Sequence, residues 1–170
     1  MDKSNRDLRS NPMRTWQHIS VLLTAAVACS VGAQTRGPAG QDVQMSPALQ
    51  KLFQEEEMRE LLSGAQMVAA GLPMGNWEGI AATSAMMRES YVLEKKLTRA
   101  QEKEIAGFPT EFKALDKAFH LQAGRLERAA AAHDAKAAAF QFSRLLENCA
   151  ACHAKFAPHR FPGFHGPTTG

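Results

Sequence analysis

Met58-Arg59-Glu60-Leu61-Leu62-Ser63-Gly64-Ala65-Gln66-Met67-Val68-Ala69-Ala70-Gly71-Leu72 sets Met58, Leu61, Leu62, Ala65, Val68 and Leu72 at steps of three and four. That spacing lines up one side of an α-helix. Upstream, Ser46-Pro47 offers an N-cap followed by proline at the first helical position. Downstream, Gly71 to Gly75 with Pro73 ends the run. A second helix is expected from Asn76 to about Leu97, with Trp77, Ile80, Ser84, Met87 and Tyr91 on one face. Thr98 to Phe108 reads as a charged connection that holds one helical turn, with Thr98 as its cap. A third helix starts around Thr110 and carries Phe112, Leu115, Phe119, Leu126 and Ala130. After Asp134 a fourth carries Ala139, Phe140, Leu145, Leu146 and Cys149 towards Lys155. Four amphipathic helices of about twenty residues on short loops predict an all-α antiparallel four-helix bundle.

Composition agrees. Of 170 residues 45% are hydrophobic and 22% charged, which excludes wholesale disorder. Strand-like alternation is absent, and three cysteines are too few for a disulfide-stapled scaffold.

Residues 1–33 read as a secretory signal peptide: Lys3, Arg6, Arg9 and Arg14 precede a short apolar run from Ile19 to Val31. Val31-Gly32-Ala33 is a small-residue cleavage pattern, so the exported chain is expected to begin at Gln34. The alternative makes Cys29 a lipidated N-terminus, although the usual leucine three residues before it is missing. The apolar run is too short for a membrane span. Its removal takes four basic and two acidic side chains from a formal +3 and leaves +1, so charge gives no reason to expect nucleic acid as a partner. Residues 34–45 are then a flexible lead, 46–157 the helical domain and 158–170 an irregular tail rich in Pro and Gly.

The chemistry lies near the end of the fourth helix, in Cys149-Ala150-Ala151-Cys152-His153. Two thiols three residues apart share a helical face, where each can add to a haem vinyl group. The next residue can then present its imidazole to the iron. Three cysteines and six histidines in 170 residues make this pattern by chance only roughly two times in a thousand. Export fits as well, since covalent haem attachment takes place outside the bacterial cytoplasm. A thioredoxin-like pair would want a βαβ setting that is missing here. A zinc site from Cys149, Cys152, His159 and His165 has suitable residue types, but its central spacer is short and it leaves His153 unexplained.

A haem-attachment motif near the C-terminus of a four-helix bundle resembles the class II c-type cytochromes, the cytochrome c prime family, over roughly residues 46–157. The resemblance implies one covalent haem c, with Cys149 and Cys152 as attachment points and His153 as the proximal iron ligand. It also implies that the sixth coordination position faces a residue about three turns into the first helix, which is Met58 when counted from Ser46. Low-spin members have methionine there; gas-binding members have a bulky residue that does not ligate. The periodicity separately turns Met58 inward with Leu61, Leu62 and Ala65, where simple packing is the alternative. One departure stands out: the family's aromatic and arginine after the histidine become Phe156 and Ala157. Lys155 or Arg160 is then the candidate to neutralise a haem propionate.

The expectation is therefore a periplasmic electron-transfer protein working between redox partner proteins, without substrate turnover. Phe53, Leu61, Leu62, Met87, Phe142 and Leu146 are expected to line the haem. Binding of nitric oxide or carbon monoxide by five-coordinate haem is the alternative, and a zinc-stabilised interaction protein is a third. Met67, Met86 and Met87 are assigned to packing and Met74 to a turn. His120 and His133 are surface or cap positions. His159 or His165 could replace Met58 only if the tail folded back, and Phe156, Phe161 and Phe164 are candidates to cover the haem edge or meet a partner. The resemblance also implies a homodimer through the outer faces of the first two helices.

Overall fold

The computed structural model describes residue 40, residues 42–90 and residues 97–165. The expected signal peptide with Cys29, the start at Gln34, Tyr91 and the last five residues lie outside the described residues.

Ser46 opens the first helix. Its hydroxyl accepts from the Leu49 amide (3.4 Å) and donates to Glu104 Oε2 (2.7 Å), while Pro47 occupies the first turn. Helix α1 then runs in three parts: α-helical Pro47–Gln50, π-helical Lys51–Glu57 and α-helical Met58–Met74. Pro73 sits inside the last turn and does not stop the helix; Gly75 does, at φ 66°. The amides of Gly75 and Asn76 close back on the carbonyls of Leu72 and Gly71 at 3.2 and 3.1 Å. Asn76 Oδ1 then caps α2, Trp77–Arg88, by accepting from the Gly79 amide at 3.1 Å.

Two connections differ from expectation. Helix α2 ends at Arg88, well before Leu97, and buried Ser90 beyond it holds a left-handed φ of 60°. The charged connection forms α3, Arg99–Ala106, a two-turn helix stabilised by a reciprocal capping box between Thr98 and Gln101. Helix α4, Thr110–Ala131, and α5, Ala135–Phe156, complete the set. Between them His133 takes the left-handed cap position (φ 55°), and Asp134 Oδ1 caps α5 by accepting from the Ala137 amide at 3.0 Å.

Helix α1 packs on α2, α2 on α4, α4 on α5, and α5 on α1, which closes a four-helix bundle. The directions alternate. Gly71 of α1 lies against Ile80, Trp77 stacks near His133 (6.1 Å), and Arg88 meets Glu127 (2.7 Å). Among the described residues there is no strand, and no helix is long and apolar enough to cross a membrane.

Two apolar clusters fill the bundle. The larger contains Val68, Ile80, Met87, Ala123, Leu126, Ala129, Ala130, Ala138 and Leu145. The smaller, at the end where α1 begins and α5 finishes, contains Leu49, Phe108 and Phe112, with Val43, Met45, Phe53 and Phe156 against it. Residues 42–45, expected as a flexible lead, are therefore partly packed.

Several apolar residues face out instead of in. Leu62 is 60% exposed and Phe140 61% exposed, and Met67, Met86, Leu146 and Ala139 are exposed too. On α5 the inward stripe is Ala138, Phe142, Leu145 and Cys149: Leu145 and Cys149 lie where expected, while Ala138 and Phe142 take the inward places expected of Ala139 and Phe140. Alanine lets helices approach closely, and its modest hydrophobicity gave way to Phe140 in the reading of the pattern.

Gly75→Ala should cost about 1 kcal/mol of stability, since an added Cβ disfavours the left-handed conformation that ends α1. Equilibrium denaturation of the two proteins measures it.

Candidate functional site

The last two turns of α5 carry Cys149, Cys152 and His153, all half-buried, and the two thiols are free. One helical turn separates the cysteines, yet they meet different surroundings. Cys149 packs against the bundle core, and Cys152 against the terminal cluster of Leu49, Phe108 and Phe112. The pair therefore straddles the seam between two apolar bodies. Burial pushes the Cys149 thiol up. Cys152 is pushed to about 11, first by burial and then by the charges of Asp116 and Cys149. Both stay as neutral thiols near pH 7. The imidazole of His153 is shifted down, by burial first and by the Arg160 guanidinium second. It is therefore held in the neutral form whose ring nitrogen can donate to a metal.

Helix α1 brings the other candidate. The Met58 amide donates to the Phe53 carbonyl, five residues back, as the last bond of the π-helical stretch. The Phe53 ring lies 5.8 Å from Phe112, in the cluster that receives Cys152. Met58 thus follows directly on the segment whose Phe53 shares a cluster with Cys152. Its side chain is half-buried and belongs to neither cluster.

The π-helical stretch changes the phase of the helix. From buried Leu52 the next buried side chain is five residues on, at Glu57, which is only 2% exposed. After it Gly64, Val68 and Gly71 resume the α-helical stripe. The deepest position therefore goes to Glu57, with Met58 beside it, and Leu62 swings out. Ser90 Oγ donates to Glu57 Oε1 at 2.9 Å, which places the left-handed Ser90 over this buried carboxyl. From α4, His120 Nδ1 donates to the Met87 carbonyl (2.9 Å) and Nε2 faces Asp116 at 3.6 Å. Glu57 and Ser90 escaped the sequence reading because Glu55-Glu56-Glu57 looks like a solvated run.

The remaining candidates separate. His133 is a helix cap, as expected. His159 is largely exposed and pairs with Asp42 through Nδ1 at 2.8 Å, while nothing is described of the His165 side chain. No three His, Cys, Asp or Glu side chains among the described residues gather to hold a metal ion. Lys155 pairs with Glu111, and Arg160 hydrogen-bonds Gln54. The expected irregular tail is ordered as far as Pro162–His165, a 3-10 turn, and the Phe161 ring lies flat on His153. Phe156 is instead drawn into the terminal cluster, edge-on to Phe112.

The family model of Cytochrome C′ matches residues 50–157, well over half of the chain and inclusive of α5 and the Met58 segment. The chain belongs to the cytochrome c′ family. No curated protein and no solved structure matches this cytochrome. Family membership makes it a haem c cytochrome of class II. The donor set fits that group: two neutral thiols on one face at an apolar seam, followed by a neutral imidazole.

Two outcomes follow from the electrostatics. In haem-free protein at pH 8, a Cys152 thiol near 11 carries about a hundredfold less thiolate than one of ordinary pKa, so iodoacetamide should label it about a hundredfold more slowly than in the unfolded chain. Mass spectrometry of the labelled protein checks this. His120 is raised, chiefly by the Asp116 carboxylate beside it, then by its hydrogen bond to the Met87 carbonyl and the charge of Glu57. Its charged form therefore contributes stability below its unfolded pKa, and that contribution is lost as pH rises through the raised folded value. The stability lost on His120→Gln should be larger at pH 5.5 than at pH 8.5, as read by denaturation at each pH.

Proposed function

We propose that this cytochrome is an exported, periplasmic one-electron carrier that passes electrons between redox partner proteins and turns over no substrate. The observation that carries this reading is the place of a thioether, Met58, directly after the π-helical segment whose Phe53 shares an aromatic cluster with Cys152 of the Cys149-x-x-Cys152-His153 turn. When bound, haem c supplies an iron that accepts and returns one electron. Cys149 Sγ and Cys152 Sγ would hold the group, each by addition of its S–H across a vinyl double bond, which needs no oxidant.

His153 would hold the iron through a ring nitrogen and Met58 through its sulfur. The thioether favours the ferrous state and raises the potential. Because α1 and α5 hold both donors in either oxidation state, little rearrangement opposes electron transfer. Phe53 on the terminal cluster, and Leu61 and Phe142 on the bundle core that receives Cys149, are half-buried and suited to exclude water. Leu62 and Leu146, being exposed, take no part, and Met87 lies wholly within the bundle core. The basic, short apolar N-terminus supports export.

Optical spectra of the periplasmically produced protein test the reading. The oxidised form should show a sulfur-to-iron charge-transfer band, and the reduced form should not shift promptly with carbon monoxide. Met58→Ala should lose the band and bind carbon monoxide readily. A wild-type protein that is high-spin and shifts at once with carbon monoxide would leave Met58 as packing and make gas binding the function.

A further inference from the structure

Beyond Phe156 the chain turns back on the helix it has just left. The Arg160 and Phe161 amides both donate to the Ala157 carbonyl at 3.1 Å, and Pro158 in the turn is buried. This turn is pinned from three sides. Arg160 reaches Gln54 on α1, His159 pairs with Asp42 at 2.8 Å, and the Val43 amide donates to the Phe156 carbonyl at 3.3 Å. The lead chain passes so close that a Cβ on Gly40 would stand 2.5 Å from the Lys155 carbonyl oxygen. The outcome is that the Phe161 and His153 rings lie face to face, 4.1 Å between centroids and 8° between planes. The Phe164 ring lies tilted to that of Phe161, 6.5 Å between centroids.

A histidine that binds a metal needs its ring plane fixed. The usual means is a hydrogen bond from the far ring nitrogen to a carboxylate or carbonyl. Among the described residues His153 has no such bond; its ring partner is Phe161. Stacking covers one face of the imidazole but leaves both nitrogens, which lie in the ring plane, free to bind. Rotation about the Cβ–Cγ bond would drive the edge of the imidazole into the benzene ring. We propose that Phe161 is a positioning residue for the proximal ligand: by stacking on His153 it fixes the imidazole plane and so the ligand field the iron feels. The proposal rests on the reading of His153 as iron ligand. The tie from Arg160 to Gln54, four residues before Met58, fastens this same turn to the helix that carries the distal candidate.

The test uses the haem-loaded protein, with electron paramagnetic resonance of the ferric form, the reduction potential and thermal melting as readouts. Phe161 is partly exposed at the bundle end, so its variants are expected to keep the helical fold. Phe161→Ala and Phe161→Leu should both change the spread of the g-values and shift the potential, the leucine showing that bulk without a flat face is not enough. Phe161→Tyr, which keeps the flat face, should restore both. Unchanged g-values and potential in Phe161→Ala overturn the proposal, as does full restoration by leucine. His153→Ala separates the two levels. If it abolishes the low-spin spectrum while Phe161→Ala changes nothing, only the positioning role falls. If it leaves the spectrum intact, the assignment of His153 falls and the proposal with it.

Discussion

Two thiols one turn apart on a single helix cannot both face a flat prosthetic group unless that helix runs past its edge with apolar matter on either hand. Here the last turns of α5 meet that constraint by lying where two clusters adjoin, Cys149 on the bundle core and Cys152 on the aromatic end group. The arrangement gives separate tasks to the alanines that open α5 and to Phe156 that closes it. Fully buried Ala138 lets the helix lie close to its neighbours at one end, and Phe156 with Phe112 builds bulk at the other. The small terminal cluster is correspondingly elaborate. Its members come from the lead chain, α1, α3, the start of α4 and the end of α5, so this end depends on contacts far apart in the chain.

Much of this was legible in the chain. Ile80, Ser84 and Met87 on α2, and Phe112, Leu126 and Ala130 on α4, lie inside as their spacing requires, because nothing interrupts the α-helical period there. The Cys-x-x-Cys-His spacing was legible for the same reason, being local and helical. What escaped were features that depend on phase or on distant partners. The π-helical turn through Lys51–Glu57 departs from a period of 3.6 residues, and it buries Glu57, which no spacing singled out. Beyond it Val68 lies inside and Leu61, Ala65 and Leu72 pack on the core as their spacing requires, whereas Leu62 does not. The buried seat of Glu57 rests on Ser90, and no short-range pattern announces a partner that far along the chain. The ordered tail escaped likewise: Pro and Gly suggest irregular chain, whereas Gln54 and Asp42 hold it in one shape.

Polar groups near the site are distributed with some economy. Lys155 and Arg160, the first lysine and arginine after the motif, pair with Glu111 and Gln54 and so tie α5 and the tail to α4 and α1. His120 and Asp116 link α4 to the carbonyl that ends α2. These contacts give the apolar end a polar outer frame, and they join elements that the two clusters alone would leave free to slide.

The π-helical stretch also bears on how relatives of this chain are to be compared. One residue lost between Lys51 and Glu57 would restore an ordinary α-helix and rotate the rest of α1 by about 100° relative to its beginning. The thioether of Met58 would move away from its present azimuth, and a neighbour would inherit it. A single codon gained or lost there is thus a short evolutionary route between a sulfur-bearing and a sulfur-free side of this helix. Alignments of this helix have to place their gap inside the wide turn before the residue at that face can be identified.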